Sequence, residues 1–146
     1  MDLAEHLAMN KIAVLIFYYQ GSWGSEGMYQ IQNIVPNTED AVKYLKSQSF
    51  IDPMRVGLVS HCFGVVPLSN VMSKDKTIKT GVLMSPPDIS KWFSREVIET
   101  NLAIYTDWAK GKIRLQESDY KQSLLDAVEN LNPMAVSYTH LRAHET

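Results

Sequence analysis

The chain has 146 residues, a formal net charge of -2 and 45% hydrophobic residues, which is typical of one domain with one buried core. The balanced charge offers no basic surface that would make nucleic acid the main partner. The single cysteine, Cys62, excludes a disulfide framework and a multi-thiolate zinc site, and we predict neither a metal nor a cofactor. The longest apolar run, Ile12 to Tyr19, is well short of the roughly 20 residues that span a bilayer, and no signal peptide is recognisable. We therefore expect a soluble, cytoplasmic protein with no membrane contact.

Features at both ends of the sequence lead us to expect that the chain is a piece of a longer protein. Residues 136–146 resemble the translation of a transposase adapter used in sequencing libraries, and the alternative is a native helical tail. We expect residues 135–146 to be non-native and to make little contact with the core, which removes His140 and His144 from the catalytic candidates. Residues 1–10 have the spacing of an amphipathic helix, so Met1 is expected to be an internal methionine.

Between these ends, strands alternate with helices. Uninterrupted apolar runs predict three buried parallel strands, at 11–19, 55–60 and 79–85. Helical spacing and capping residues predict four further helices, at 36–49, 63–73, 91–110 and 118–130. This order predicts the α/β class, with a parallel sheet covered by helices on both faces and a helical cap-like segment over residues 88–132. In the helix at 36–49, the residues predicted to face the core are Ala41, Val42, Tyr44 and Leu45, and those predicted to face outward are Lys43 and Lys46.

A sharp turn after the second predicted strand contains the candidate catalytic residue. Ser60 and Gly64 flank Cys62 at two residues on either side, and a helix follows. Small residues at these positions permit a strained strand-to-helix turn that exposes the central side chain. A helix that begins at Phe63 would stabilise a thiolate and direct the Phe63 backbone N–H at an oxyanion. The pattern predicts a nucleophile at Cys62, and the alternative is a buried apolar cysteine.

Four segments in this order resemble the α/β-hydrolase superfamily, closest to its esterase, dienelactone-hydrolase and serine-peptidase-like group. They are Tyr18–Gly27, Ser60–Gly64, Leu83–Pro87 and Leu131–Met134. The resemblance covers residues 3–134 and implies a partial α/β-hydrolase fold. Cys62 stands where the superfamily usually has serine, although dienelactone hydrolases use cysteine, and Ser60, Gln20 and Val65 also depart from the pattern.

The resemblance implies cleavage of ester or amide-type bonds in a small-molecule ester or peptide-like substrate, through an acyl-enzyme on Cys62. It places four residues around the substrate: His61, Tyr19, Gly21 and Trp23. It also places the triad acid and histidine after residue 134, so the chain by itself is expected to be inactive. Asp88 is an alternative acid, whereas His6 is expected on the surface. A non-catalytic α/β-hydrolase-fold binding protein is the second hypothesis.

The resemblance further implies that one strand is absent between the strands at 11–19 and 55–60. Their unpaired peptide groups would then face an open slot, or the two strands would pair directly. Either arrangement predicts a poorly stable chain, because unsatisfied buried peptide groups cost about 1–3 kcal/mol each.

Overall fold

The computed structural model describes residues 2–92, 94, 96–115 and 117–130. The helices are α1 (Leu3–Met9), α2 (Ile34–Lys46), α3 (Val65–Lys74), α4 (Ile89–Trp92), α5 (Ile98–Ala109) and α6 (Glu117–Asn130), and the strands are β1 (Gly57–His61) and β2 (Thr80–Met84). The predictions for the tail at 135–146 and for the segment Leu131–Met134 fall outside the described residues. No described helix is both long and apolar enough to cross a bilayer.

The second and third predicted strands pair with each other. β1 and β2 run parallel, with Val59 opposite Val82 and His61 opposite Met84. The connection between them contains α3, as a parallel crossover requires. The protein is therefore a mixed helix and strand structure with a small two-stranded parallel sheet flanked by helices, in agreement with the predicted α/β class.

Among the described residues, the prediction that helices cover both faces of the sheet is wrong. α3 packs on the face that carries Leu58 and Gly81, where a side chain at Gly81 would meet Met72 Sδ at 2.5 Å. On the opposite face, Val59 and Val82 are 48% and 47% exposed. All five residues of β2 are exposed, and the three on this second face, Thr80, Val82 and Met84, have no described element packed on them.

The prediction of a strand at 11–19 is also wrong. The segment from Ile12 to Tyr19 is not assigned as a strand, and β1 and β2 form the only sheet in the described part of the chain. Most of its side chains are exposed, including Ile16 at 63%. An apolar run becomes a strand only when a neighbour supplies the ladder, and no described segment pairs with it. Direct pairing with β1, one of the two expected arrangements, does not occur there.

α1 confirms the predicted opening helix, although it buries no residue. A reciprocal capping box begins it: the Glu5 backbone N–H donates to the Asp2 carboxylate at 2.8 Å, and the Asp2 N–H donates to the Glu5 carboxylate at 3.1 Å. These local bonds stabilise the helix without tertiary packing. His6 is exposed, as predicted.

α2 begins two residues earlier than predicted, since a 3₁₀ turn over Ile31–Asn33 leads directly into it. Pro36 occupies the first turn, where a missing N–H costs nothing. Two predictions for its faces are wrong. Tyr44 is 60% exposed, and Lys46 is partly buried and pairs with Asp75 at 2.5 Å.

The core lies between α2, α3, α5 and α6. Its most buried side chains include Ile31, Ile34, Val66, Val71, Ile98 and Leu124, each at most 2% exposed. The predicted cap-like segment therefore belongs to the same core as the sheet crossover. The helix predicted at 91–110 is two helices, α4 and α5, whereas α6 agrees with the prediction to within one residue.

Candidate functional site

Cys62 lies at the junction between β1 and the helical segment that follows. β1 ends at His61, a 3₁₀ turn covers Cys62–Gly64, and α3 begins at Val65. Cys62 has a φ of +52°, in the left-handed region that non-glycine residues rarely adopt. The predicted strained turn is confirmed. The α-helix begins two residues later than predicted, because Phe63 lies in the 3₁₀ turn.

The two small residues around Cys62 are in close contact. A Cβ on Gly64 would lie 3.1 Å from the Ser60 Cβ, which is tighter than ordinary packing. The Ser60 hydroxyl is buried without a hydrogen-bond partner among the described residues. Cys62 itself is exposed. The alternative of a buried apolar cysteine is therefore wrong, and the thiol can meet a reagent from solution.

The glycine-containing loop at 21–27 forms a seam with the connection between α5 and α6. The Gly21 N–H donates to the Glu26 carbonyl at 2.9 Å, and the Gly21 carbonyl accepts from the Arg114 N–H at 2.8 Å. Gly21 is buried, has a φ of +75°, and leaves no room for a Cβ, which would lie 2.1 Å from the Tyr29 nitrogen. Glycine at this position is required by both conformation and space.

Arg114 holds the same seam through its side chain. Its Nε donates to the Gly27 carbonyl at 2.8 Å, and its guanidinium also donates to the Ser25 carbonyl. The Tyr29 N–H donates to the Arg114 carbonyl at 2.8 Å. Four hydrogen bonds of Arg114, two through its backbone and two through its side chain, thus fix the α5–α6 connection against the loop.

Trp23 lies at the outer edge of the seam. It is 52% exposed and packs edge to face on Trp108 of α5, with ring centroids 6.4 Å apart. The Lys112 ammonium lies 4.7 Å from the centroid of the Trp108 ring. These contacts account for Trp23 as a packing residue, and half of its side chain is still open to a ligand.

Three phenols pack together near α5 and α6, and we call them the tyrosine cluster: Tyr29, Tyr105 and Tyr120. Tyr105 on α5 stacks on Tyr120 of α6, with centroids 5.8 Å apart and an interplanar angle of 14°. Tyr29 is 6.5 Å from Tyr120. Tyr29 and Tyr120 are 5% and 4% exposed, whereas Tyr105 is only partly buried.

Burial raises the pKa of Tyr105, and side-chain interactions with Tyr120 and Tyr29 oppose that rise. An electrostatic interaction with Cys62 raises the pKa of Tyr105 further. The Tyr120 hydroxyl is buried without a hydrogen-bond partner among the described residues.

Burial keeps the whole cluster neutral. It raises the pKa of Tyr120 and Tyr29 far above 10, and the neighbouring phenols raise both further. Tyr19, the fourth phenol in this area, also has a pKa raised by burial, with an opposing effect from a hydrogen bond with Thr38. At neutral pH these side chains are hydroxyl donors and not anions.

The structure brings together only some of the residues predicted for the site. His61 and Cys62 are adjacent and exposed, Phe63 is partly buried against the core, and Tyr19 is half-buried beside α2. Asp88 is exposed, and its carboxylate accepts from the Lys91 backbone N–H at 3.2 Å in the first turn of α4. This capping contact accounts for Asp88 without a catalytic role.

Sequence reasoning missed Tyr105, Tyr120 and Arg114. The two tyrosines are separated by 15 positions on two helices, so only the packing of α5 against α6 brings them together. Arg114 lies in a short polar connection with no motif of its own. In the described residues, no group of three His, Cys, Asp or Glu side chains could hold a metal ion.

Comparison of the chain with protein-family models, with curated proteins and with solved structures finds no match in any of the three.

Proposed function

We propose that Cys62 is the nucleophile of a hydrolase that cleaves carboxylic ester or amide-type bonds, on a partial α/β-hydrolase fold. One observation supports this most strongly: the exposed Cys62 thiol stands at the carboxyl end of β1 in a left-handed conformation, at the start of the 3₁₀ turn that leads into α3. A non-glycine residue is held in this conformation at a cost of about 1–3 kcal/mol, and such strain clusters at active sites.

The chemistry needs a thiolate and a donor for the developing oxyanion. The thiolate sulfur attacks the substrate carbonyl carbon, the C–O or C–N bond to the leaving group breaks, and a thioester forms on Cys62. The Phe63 backbone N–H is the proposed donor to the oxyanion, since it follows the nucleophile at the start of the turn. Water then cleaves the thioester, which releases the acid and restores the thiol.

We propose substrate contacts for Cys62 from the resemblance, and we assign it no general base among the described residues. His61, Tyr19, Gly21 and Trp23 are the proposed substrate contacts, although the backbone of Gly21 is already bonded in the seam. No Asp, Glu or His among the described residues forms a hydrogen bond with the Cys62 thiol. We therefore propose that the chain acylates once and turns over poorly, and that a longer protein supplies the acid and the histidine.

The test is the acylation of Cys62 by p-nitrophenyl acetate, followed by intact mass spectrometry and by release of p-nitrophenolate. We expect one acetyl group per chain, formed about tenfold or more faster than on N-acetylcysteine amide at the same pH. The exchange of Cys62 with dithiodipyridine, which has no oxyanion, corrects for the reactivity of the thiol itself. Cys62→Ala must remove the adduct. Acylation no faster than that of the free thiol, after this correction, would overturn the proposal.

The full reading frame around this sequence separates the enzyme from a non-catalytic binding protein. An Asp and a His in the loops after residue 134 would support hydrolysis, and the Cys62→Ala variant of that longer protein should then lose its esterase activity. A frame without these residues would support a binding protein in which the strained turn no longer catalyses a reaction.

A further inference from the structure

We propose that Ser85 is a substrate-binding residue at Cys62, and that its hydroxyl donates a hydrogen bond to the carbonyl oxygen of the ester or amide substrate during acylation. The inference rests on the function proposed above and deepens it. It brings β2 into the site, a strand on which neither the sequence pattern nor the resemblance placed a substrate contact.

The register of the sheet places Ser85 beside Cys62. β1 and β2 run parallel, and His61 at the end of β1 is the partner of Met84 at the end of β2. Cys62 and Ser85 each follow this pair by one residue, so they lie at the same edge of the sheet. From the spacing of neighbouring strands and of consecutive residues, their Cα atoms are at most about 12 Å apart. One small substrate can therefore contact both side chains.

The two residues share an unusual backbone conformation. Ser85 has a φ of +49° and Cys62 has a φ of +52°, both in the left-handed region. Pro86 follows Ser85, and the residue before a proline prefers an extended conformation, which adds to the strain. Strained residues of this kind cluster at active sites and ligand-binding sites. The strain at Ser85 is accounted for if its hydroxyl acts on a substrate.

The Ser85 hydroxyl is available to a ligand. Ser85 is exposed, and its hydroxyl has no hydrogen-bond partner in the described part of the chain. A serine hydroxyl carries one proton to donate and rotates to meet an acceptor. The hydroxyl of Ser60, two residues before Cys62, is buried and cannot reach a ligand from solution. Of these two serines, Ser85 is the one that a substrate can meet.

A donor from β2 fits the chemistry of acylation. The carbonyl oxygen of the substrate gains negative charge as the thiolate attacks, and a hydrogen-bond donor at this oxygen stabilises the transition state. The first proposed donor is the Phe63 backbone N–H, in the turn after β1. Ser85 would add a second donor from the end of the neighbouring strand.

The experiment compares two reactions of Cys62 in the 146-residue chain and in its variants: acylation by p-nitrophenyl acetate and exchange with dithiodipyridine, which has no carbonyl oxygen. Ser85→Ala and Ser85→Gly should each slow acylation about three- to tenfold, as expected for one lost hydrogen bond, and change the exchange rate less than about twofold. Ser85→Gly should fold at least as well as the unsubstituted chain, because glycine adopts a positive φ without strain. Circular dichroism verifies the fold of each variant.

Thr80→Val is the matched control. It removes an exposed hydroxyl from the opposite end of the same strand, and it should change neither rate. A loss of acylation in this variant as large as in the Ser85 variants would contradict the proposal, because Thr80 lies at the other edge of the sheet.

The other outcomes are also distinct. Unchanged acylation in Ser85→Gly would overturn the proposal, since a loss confined to Ser85→Ala would come from the backbone and not from the hydroxyl. An equal loss of both reactions would overturn it as well, because it would show a general effect on the thiol. Failure of the proposed function appears separately: the unsubstituted chain would then acylate no faster than a free thiol, and this inference would fail with it.

Discussion

Ile34 on α2 and Ile16 in the extended segment have the same side chain, yet Ile34 is 1% exposed and Ile16 is 63% exposed. The regions around them differ in the same way. α2 packs on α3 and on the 3₁₀ turn before it, whereas the segment from Ile12 to Tyr19 has no strand partner among the described residues. Equal hydrophobicity supplies an equal driving force for burial, and the available neighbours decide whether burial occurs.

The difference follows from how each backbone satisfies its peptide groups. A helix makes its hydrogen bonds within itself, so α2 needs a neighbour only for its apolar side. A strand makes none within itself and needs a ladder on at least one edge. The exposed face of β1 and β2 lacks a different neighbour, a layer of side chains that would cover Val59 and Val82. We expect the extended segment and this face to limit the stability of the chain.

The largest expected consequence concerns the whole chain. We expect a free energy of unfolding below about 5 kcal/mol in urea, the lower limit for ordinary domains. The reason is the apolar surface left exposed by the extended segment and the sheet. Circular dichroism and size-exclusion chromatography measure the transition and the oligomeric state. A cooperative, monomeric transition worth about 5–15 kcal/mol would contradict this prediction and the interpretation of the chain as a fragment.

Alanine at the two isoleucines tests the comparison directly. Ile34→Ala should destabilise the chain by about 2–5 kcal/mol, because it opens a cavity in the core. Ile16→Ala should change stability by less than about 0.5 kcal/mol. Urea titrations in a stabilising osmolyte keep both variants measurable. Equal effects at the two positions would show that the extended segment is packed in solution.

The seam at Gly21 offers a second matched pair. Gly21→Ala should cost at least about 2 kcal/mol, since its φ of +75° is strained for alanine and its Cβ would lie 2.1 Å from the Tyr29 nitrogen. Gly24 has a φ of +97°, and nothing lies within 4 Å of an added Cβ. Gly24→Ala should therefore destabilise the chain by about 1–2 kcal/mol, because of the strained conformation alone. Thermal unfolding of both variants separates contact from conformation. A smaller effect at Gly21 than at Gly24 would mean that the seam opens freely.

The tyrosine cluster predicts a loss of stability in alkali. Burial holds the pKa values of Tyr29, Tyr105 and Tyr120 above those of the unfolded chain, near 10. The stability that these neutral phenols give the folded state is fully present below pH 10. Above pH 10 the free energy of unfolding falls by about 1.4 kcal/mol per pH unit for each phenol that stays neutral in the folded chain and ionises in the unfolded chain. Melting temperatures from pH 8 to pH 11 should fall less steeply in Tyr120→Phe than in Tyr44→Phe. An equal fall of melting temperature with pH in these two variants would show that Tyr120 does not have a raised pKa in the folded chain.

The smallest expected effect is at Asp75. Hydrogen bonds from Lys46 and Thr77 lower the pKa of this carboxyl from 3.8 to about 2. Its contribution is present above pH 3.8 and is lost as the pH falls through about 2, because the unfolded chain binds the proton first. Asp75→Asn should flatten the decline in stability between pH 4 and pH 2, whereas Asp40→Asn, at an exposed pair with Lys43, should not. Acid titrations followed by circular dichroism measure both.

The sequence by itself determined β1, β2, α6 and the strained turn at Cys62, since each depends on local patterns of apolar, small and helix-forming residues. It did not determine whether the apolar run from Ile12 to Tyr19 is a strand, because pairing needs a second segment that periodicity does not reveal. It also did not predict the Lys46–Asp75 pair or the contact of Tyr105 with Tyr120, which join positions 29 and 15 residues apart. Only tertiary structure decided these, because contacts between distant positions depend on how the helices pack and not on the residues nearby in the chain.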